Sequence, residues 1–209
     1  SDNVYVVGYT RGGLDVNSNA GYTDMFVVKY NSSGTKQWLR QLGTSEWDTA
    51  YGVATDSSGN VYVTGSTSGD LPGYSNAGSH DVFIVKYNSL GTREWIVQFG
   101  TSRWDEAYGI ATDSSGNTYV TGRTKGPLFG DLRSNVNDIF LLKGNSSGTL
   151  QWSKQLGNDR EREIAYGVAT DSSGDVYIAG YTNGGLDNNS SAGEEDIFVV
   201  KYHSSGEKQ

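Results

Sequence analysis

The stretch AYGVATDSSGNVYVTG, residues 50–65, decides the fold. It contains two short segments rich in Val, Tyr, Thr and Ala, separated by the turn sequence DSSG. The Asp of such a turn can accept hydrogen bonds from the turn's own backbone, and the Gly can adopt a positive φ. The same stretch returns at residues 107–122 and 165–180, and its second half also occurs at residues 3–8. We therefore expect a β-hairpin that recurs about every 57 residues.

Two further strings recur in step with this hairpin. Both are short, rich in β-branched and aromatic residues, and bounded by turn residues, which is typical of strands. The string DMFVVKY and its variants begin at Asp24, Asp81, Asp138 and Asp196, and the string WLRQLG and its variants begin at Trp38, Trp95 and Trp152. One repeat is thus four strands, with no room for a helix.

Both faces of these strands are largely apolar, so each four-stranded sheet must be covered on both sides. Copies that stack radially meet this need and form a propeller. A β-solenoid is the alternative, but its coils are generally shorter and need no hairpin turns at fixed places. The predicted fold class is all-β, a β-propeller built of four-stranded antiparallel blades, with a partial ring in this chain.

The repeat resembles a known bacterial family. Its pattern reads aYGvatDssGNvYvtGyT, then a variable loop, then DvFvvKyNssGt and a Trp strand, and it covers essentially the whole chain in four registers. This resembles the bacterial β-propeller repeat called SBBP, for seven-bladed β-propeller. The resemblance implies a fold related to WD-repeat propellers, commonly in secreted or cell-surface bacterial proteins, and it implies no particular activity.

The repeats divide residues 1–209 into one propeller array of four blades. With strands labelled a to d from the ring axis outward, blade 1 has strands b–d (1–43), blades 2 and 3 are complete (44–100 and 101–157), and blade 4 has strands a–c (158–209). An array of four blades that lacks one strand at each end leaves apolar faces and strand edges open. Self-association, further repeats in a longer protein, or a strained four-bladed ring would each cover them.

Composition excludes several function classes. The net charge of −8 makes nucleic acid a poor partner, because phosphate-binding surfaces are basic. The chain has no cysteine, so it has neither disulfides nor thiolate chemistry, and it has no apolar run of membrane-spanning length, so we expect no membrane insertion. We also expect no cofactor.

The connections between strands predict two different faces. The a–b turn (Asp56–Gly59) and the c–d turn (Asn31–Gly34) are tight and nearly the same in every copy, whereas the b–c and d–a loops vary. In an antiparallel meander alternate connections share a side, so the variable loops lie together. Binding residues usually lie on variable loops of a rigid scaffold, so we expect ligands at that face.

The d–a loops supply the candidate ligand-binding residues. Two copies carry a Trp followed by an Asp, and the third carries an Arg followed by a Glu, which gives Trp47 and Asp48, Trp104 and Asp105, and Arg162 and Glu163. An aromatic ring beside a carboxylate can stack on a sugar and accept its hydroxyl hydrogen bonds, or can anchor a protein partner. The alternative is that the tryptophans pack over the seam between blades and the carboxylates bond loop amides.

Other recurrent residues favour structural roles. The tryptophans that begin strand d pack the blades, and the lysines of strand c, Lys29, Lys86, Lys143 and Lys201, pack their stems and reach solvent with their charge. The b–c loops carry an Asp in each copy, namely Asp15, Asp70, Asp131 and Asp187, which we read as solvated turn residues rather than as a weak cation site.

Nothing in the sequence marks out a catalytic centre. The only histidines are His80 and His203, each a single replacement in one copy, and neither lies near a nucleophile or in a metal-ligand cluster. No pair of carboxylates stands out as a glycosidase would need. We therefore expect no enzyme and no metal, and predict a propeller module that binds a glycan or protein at the loop face. The alternatives are a structural part of a larger secreted or surface repeat protein and, third, a propeller hydrolase.

Overall fold

A computed structural model describes residues 2–129, 136–157, 160–186 and 189–209. These residues form fourteen β-strands in four antiparallel sheets, and no helix among them could span a lipid bilayer. The strands are β1 (Val4–Thr10), β2 (Asp24–Tyr30), β3 (Lys36–Leu42), β4 (Asp48–Thr55), β5 (Val61–Thr67), β6 (Asp81–Tyr87), β7 (Arg93–Phe99), β8 (Asp105–Thr112), β9 (Thr118–Thr124), β10 (Asp138–Gly144), β11 (Leu150–Leu156), β12 (Glu163–Thr170), β13 (Val176–Thr182) and β14 (Asp196–Tyr202).

Each sheet is one blade in which neighbours in sequence are neighbours in space. The orders are β1-β2-β3, β4-β5-β6-β7, β8-β9-β10-β11 and β12-β13-β14, so the first blade lacks strand a and the last lacks strand d. The inner strands of adjacent blades contact each other, β4 with β8 and β8 with β12. The all-β propeller fold is confirmed, and the sheets do not close into a ring.

The tight turns hold their shape through the Asp that begins them. In the a–b turn of the second blade, Asp56 Oδ1 accepts hydrogen bonds from the amides of Ser58 and Asn60 at 3.0 and 2.9 Å, and Oδ2 accepts one from the Tyr62 hydroxyl at 3.1 Å. Gly59 has a φ of +79°, which only glycine adopts at little cost. The turn interpretation is therefore confirmed, and this face of the array is uniform and rigid.

Adjacent blades are joined by an apolar layer and by a polar latch at its outer edge. In the first layer Met25 and Val27 of the first blade pack against Phe83 and Val85 of the second. At the rim, the indole N–H of each strand-d tryptophan donates to a Ser carbonyl in the c–d turn of the next blade, over 3.1–3.2 Å. The pairs are Trp38 with Ser89, Trp95 with Ser146 and Trp152 with Ser204.

Three of the strand-c lysines, Lys29, Lys86 and Lys143, belong to the same latch, which corrects for them the expectation that their charge reaches solvent. Lys86 is only 8% exposed, and its Nζ donates to the carbonyl of Ser146 in the next blade at 3.3 Å. Lys29 and Lys143 make the same bond to the next blade. A buried ammonium needs acceptors, and the turn of the neighbouring blade supplies one.

Candidate functional site

The d–a loops are built around buried carboxylates. Asp48, which begins β4, is 1% exposed, and its Oδ2 accepts hydrogen bonds from the amide of Thr44 at 2.6 Å and from its hydroxyl at 2.9 Å. Asp105 holds Thr101 in the same way in the next loop, and it also accepts a bond from the Thr124 hydroxyl. Burial raises the pKa of both carboxyls. The two carboxylates therefore hold the loops from below and do not face solvent.

The tryptophans before these carboxylates stand at the surface of the same loops. Trp47 is 45% and Trp104 is 40% exposed. Each is tied by a parallel β-bridge to the residue before strand c of the preceding blade, Trp47 to Thr23 and Trp104 to His80. This bridge fixes the position of each indole across the seam between two blades.

A second aromatic ring supports each indole. Tyr22 stacks on Trp47 with ring centroids 5.4 Å apart, and His80 stacks on Trp104 at 4.2 Å. The ammonium of Lys125 lies 5.5 Å from the Trp104 ring centroid. Burial lowers the pKa of His80, so this ring is neutral at pH 7. The indoles are therefore held rigid while a large part of each remains accessible.

Trp47 and Trp104 line one groove of about 310 Å³ at the ring mouth. The groove lies where the inner strands of the first three blades meet the loop face. Its wall carries aromatic rings, hydroxyls, one guanidinium and one carboxylate. The residues are Tyr9, Arg11, Thr23, Trp47, Thr49, Tyr51, Ser66, His80, Trp104 and Glu106.

A row of tyrosines continues from this groove along the inner strands. Tyr51, Tyr108 and Tyr166 occupy the same place in β4, β8 and β12, and the centroids of neighbouring rings are 5.2 Å apart. Each lies at a register shift between an Ala and a Gly of its strand, which is a β-bulge. Bulges re-aim side chains, and here they bring three tyrosines into one row beside the ring axis.

One blade breaks the repeat symmetry next to the groove. In blade 3 Arg123 Nε donates to Glu106 Oε2 at 2.7 Å, and the Tyr108 hydroxyl donates to the same oxygen at 2.6 Å. Burial alone lowers the pKa of Arg123, but Glu106 beside it raises the pKa overall. The equivalent positions hold Thr49 and Ser66 in blade 2 and Ile164 and Tyr181 in blade 4. Among the described residues, blade 3 alone therefore places a buried ion pair at this level.

No described residue of the third d–a loop lines the groove. Arg162 is exposed but does not line it, although its carbonyl accepts a bond from the Asn183 amide as the Trp47 carbonyl does from Ser68. Glu163 is fully buried, and its amide donates to the Asn137 carbonyl at 2.8 Å. Of the six sequence candidates, the structure therefore brings two to the groove surface, places three beneath the loops and leaves Arg162 apart.

The β-propeller repeat SBBP matches residues 37–72, 94–129 and 151–187, more than half of the chain. The chain belongs to the SBBP family. The three matched segments each run from strand d of one blade to the b–c loop of the next, so the family's repeat unit spans the seam where Trp47 and Trp104 lie.

Relatives of this SBBP chain are much longer than it is. It is 28% identical over 171 residues to the regulatory protein FlaEY of Caulobacter vibrioides, covering 74% of this chain and 18% of that protein. It is 27% identical over 144 residues to a WD repeat-containing protein of Acanthamoeba polyphaga mimivirus, covering 61% of this chain and 10% of the relative. A solved structure of a Bacteroides caccae protein of unknown function is similar with a TM-score of 0.45 and 12% identity, covering 89% of this chain and 75% of that one.

The b–c loops of the first two SBBP blades hold Asp15 and Asp70 in internal contacts. Asp15 pairs with Lys36 at 2.7 Å, and Asp70 accepts a bond from the amide of Asn76 at 2.8 Å. Asp131 and Asp187 lie outside the described residues. In the ranges that the structure describes, no three acidic or histidine side chains come together as metal ligands would.

Sequence reasoning missed the tyrosine row and the Glu106–Arg123 pair. The bulge that turns the Tyr of the AYG string toward the ring axis has no marker in the sequence pattern. A signal for the pair was present, because Glu106 and Arg123 are the charged members of columns that are otherwise Thr, Ile, Ser and Tyr. In an SBBP array, residues that depart from the repeat at the loop ends of strands a and b therefore indicate candidate site residues.

Proposed function

We propose that this chain is a non-enzymatic binding module that recognises a glycan in the groove between Trp47 and Trp104. The observation that carries the proposal is that both indoles are about half exposed and line the same groove. Had they been buried in the blade seam, assembly alone would have been favoured. The propeller family and the regulatory and WD-repeat relatives support an interaction role in general.

The shape and chemistry of the groove favour a glycan over a flat protein surface. A concavity of about 310 Å³ is at the small end of ligand pockets and suits a few sugar rings. Indole faces offer apolar surface for the C–H face of a sugar, and Thr49, Tyr51 and Ser66 offer hydroxyls for its polar edge. The stacked partners keep the indoles fixed, so little side-chain entropy is lost when a ligand binds.

Substitution of the two tryptophans tests the proposal. A glycan array identifies a binding sugar, and titration calorimetry with that sugar measures its affinity for the chain and for Trp47→Ala and Trp104→Ala. We expect each variant to weaken binding about tenfold or more, because a central aromatic contact typically contributes over 1 kcal/mol. Arg162→Ala changes the same loop position in the third copy, and the groove geometry predicts no change for it. The proposal fails if no glycan binds, or if all three variants bind as the parent chain does.

A second candidate function is assembly, and exposed apolar faces at both ends of the array support it. Ile197 and Val199 of β14 are 92% and 69% exposed, and Val4 and Val6 of β1 are 55% and 44% exposed. Another copy of the chain or further repeats would cover these faces. Multi-angle light scattering gives the solution mass, and a monomer that stays soluble at high concentration would count against self-association.

A further inference from the structure

The boundary between blades 2 and 3 lacks a tyrosine that the other blades have. Strand c ends in Tyr30, Tyr87 and Tyr202 in three blades, but in Gly144 in blade 3. The cross-strand partner changes with it. Val61 pairs with Tyr87 in blade 2, whereas Thr118 pairs with Gly144 in blade 3.

At the other boundaries this tyrosine fills the space beside the strand-d tryptophan. Tyr87 is 3% exposed, and its ring centroid lies 6.3 Å from that of Trp38 in the preceding blade. Tyr202 is 2% exposed in the core cluster that Trp152 packs against. Gly144 leaves this space open, and a cavity of about 270 Å³ lies beside Trp95.

The residues at the mouth of this space change together with the tyrosine. At the first boundary the Tyr87 hydroxyl lies within the electrostatic influence of Arg93 and Arg40, while burial raises its pKa to about 12. The same two repeat positions hold Leu150 and Val97 at the cavity. At the boundary between blades 3 and 4 they hold Lys208 and Lys154.

The cavity is consequently uncharged and mostly apolar, although Tyr74, Gln98 and Thr118 also line it; the Tyr74 hydroxyl and the Gln98 amide already donate to backbone carbonyls. Ile84, Phe99 and Leu142 line it together with Val97 and Leu150, and no charged side chain among the described residues does. The indole N–H of Trp95 already donates to the carbonyl of Ser146, which leaves the apolar surface of the ring for contact. Apolar pockets of this size accept small aromatic molecules; an enclosed apolar cavity of about 150 Å³ binds benzene.

We propose that this cavity is a binding site for a neutral, apolar molecule containing one aromatic ring. The ring occupies the volume that the side chains of Tyr87 and Tyr202 fill at the other boundaries. Its distal end meets Val97 and Leu150, so an alkyl substituent is favoured there and a carboxylate or phenolate is excluded by the cost of desolvating its charge.

Ligand titration followed by ¹H–¹⁵N NMR locates the site directly. Toluene, p-cresol and benzoate are the probes, p-cresol being the tyrosine side chain as a free molecule. We expect saturable shifts with toluene at the indole N–H of Trp95 and at the amides of Gly144 and Gly148, weaker binding of p-cresol, and binding of benzoate weaker by tenfold or more. The proposal is overturned if toluene gives no saturable shift up to its solubility limit, or gives shifts only at other residues.

Filling the cavity is the matched control. A β-carbon at Gly144 would lie 2.9 Å from Thr118 Oγ1, so the double variant Thr118→Val with Gly144→Tyr is used, which restores the pair found in blade 2. We expect it to abolish toluene binding and to raise the Tm by about 5 °C, since burial of a large side chain in a domain of this size shifts the Tm by a few degrees per kcal/mol.

A second variant keeps the test decisive if the double variant does not fold. Leu150 is 49% exposed, and Leu150→Arg gives it the residue of the equivalent position, Arg93. We expect this variant to fold as the parent chain does and to bind toluene at least tenfold more weakly. Unchanged toluene affinity in either folded variant would show that the cavity is not the binding site.

Discussion

The same tripeptide, Asp-Ile-Phe, begins strand c in blades 3 and 4, yet its isoleucine has opposite environments in the two. Ile139 in β10 is fully buried, whereas Ile197 in β14 is 92% exposed. Leu141 and Val199, two residues further along, differ in the same way at 0% and 69% exposure. Local sequence makes the strand in both cases, but only a following blade makes it part of a core.

The polar contacts of the strand-c lysines also differ between the middle blades and the last blade. Lys86 and Lys143 donate to a carbonyl of the next blade, whereas Lys201 in the last blade pairs with Asp175 of its own blade at 2.7 Å. The equivalent position to Asp175 is Asn60 in blade 2. In this chain Lys201 is thus paired within its own blade alone, so the seams and the face of β14 differ in polar contacts as well as in apolar ones.

The largest expected effect comes from removing the same side chain from both environments. Ile139→Ala removes atoms from a packed seam and leaves a cavity, so we expect it to lower the free energy of unfolding by about 2–5 kcal/mol. Ile197→Ala removes atoms from an exposed face, so we expect a change within about 0.5 kcal/mol. Urea unfolding of both variants and the parent chain, followed by circular dichroism, measures the difference.

The dependence of these two stability losses on protein concentration provides a further test. If Ile197→Ala destabilises the chain only at high protein concentration, a second copy covers the end face and the assembly function gains support. Equal, concentration-independent losses for the two variants would contradict the comparison, because they would mean that Ile197 is buried within one chain.

A smaller effect is expected from the latch lysines. Lys86→Ala removes a buried ammonium that bonds to the Ser146 carbonyl and pairs with Glu94 at 2.9 Å, so we expect a loss of about 2 kcal/mol. Lys201→Ala breaks an ion pair at the exposed end, where solvent screens the charges, and we expect no measurable loss. Thermal unfolding at low and at 1 M salt provides the comparison, and a larger loss for Lys201→Ala than for Lys86→Ala would rule out a structural latch between blades.

The repeat sequence was sufficient to predict the fold because its turns, its strand strings and its spacing all predict the same structure. The turn sequence DSSG, the strand strings and their constant spacing all specify four strands per unit, and the count of fourteen strands with an incomplete blade at each end matches the structure. The prediction that the lysine charges reach solvent was wrong for Lys29, Lys86 and Lys143, because a pattern within one repeat does not show what the next repeat presents to it. Ser146 lies 60 residues from Lys86 in sequence.

The site was predictable only in outline. Loop variability pointed to the face where the groove lies and to Trp47 and Trp104, because alternation of loops in a meander follows from connectivity alone. The bulge at Tyr51 and the cavity at Gly144 depend on strand register and on packing between blades, neither of which one repeat encodes. The carboxylates of Asp48 and Asp105 were placed among the ligand candidates, but their burial follows from the fold of their own loops.

The smallest expected effect is a difference in pH dependence between a buried seam carboxyl and an exposed end carboxyl. Burial raises the pKa of Asp105, so the folded state holds its proton more tightly than the unfolded chain does. The contribution of Asp105 to the free energy of unfolding therefore increases as the pH falls through the folded pKa toward the ordinary value of 3.8, by an amount on the order of 1 kcal/mol. Asp196 in the last blade has the opposite sign, because the Ala192 amide and the Ser191 hydroxyl hold the pKa of its carboxyl below the ordinary value. Its contribution is present above that value and is lost as the pH falls through its lower folded pKa.

Urea unfolding between pH 2.5 and 7 separates the two contributions. Asp105→Asn should remove a gain in stability that the parent chain shows as the pH is lowered toward 3.8. Asp196→Asn should remove a loss in stability that the parent chain shows as the pH is lowered further, below 3.8. Because each variant replaces one titrating group, the informative quantity is the difference in slope against the parent chain rather than the absolute stability, which Asn also changes through its own hydrogen bonds. Slopes of the same sign for the two variants would contradict the opposite pKa shifts of the two carboxyls.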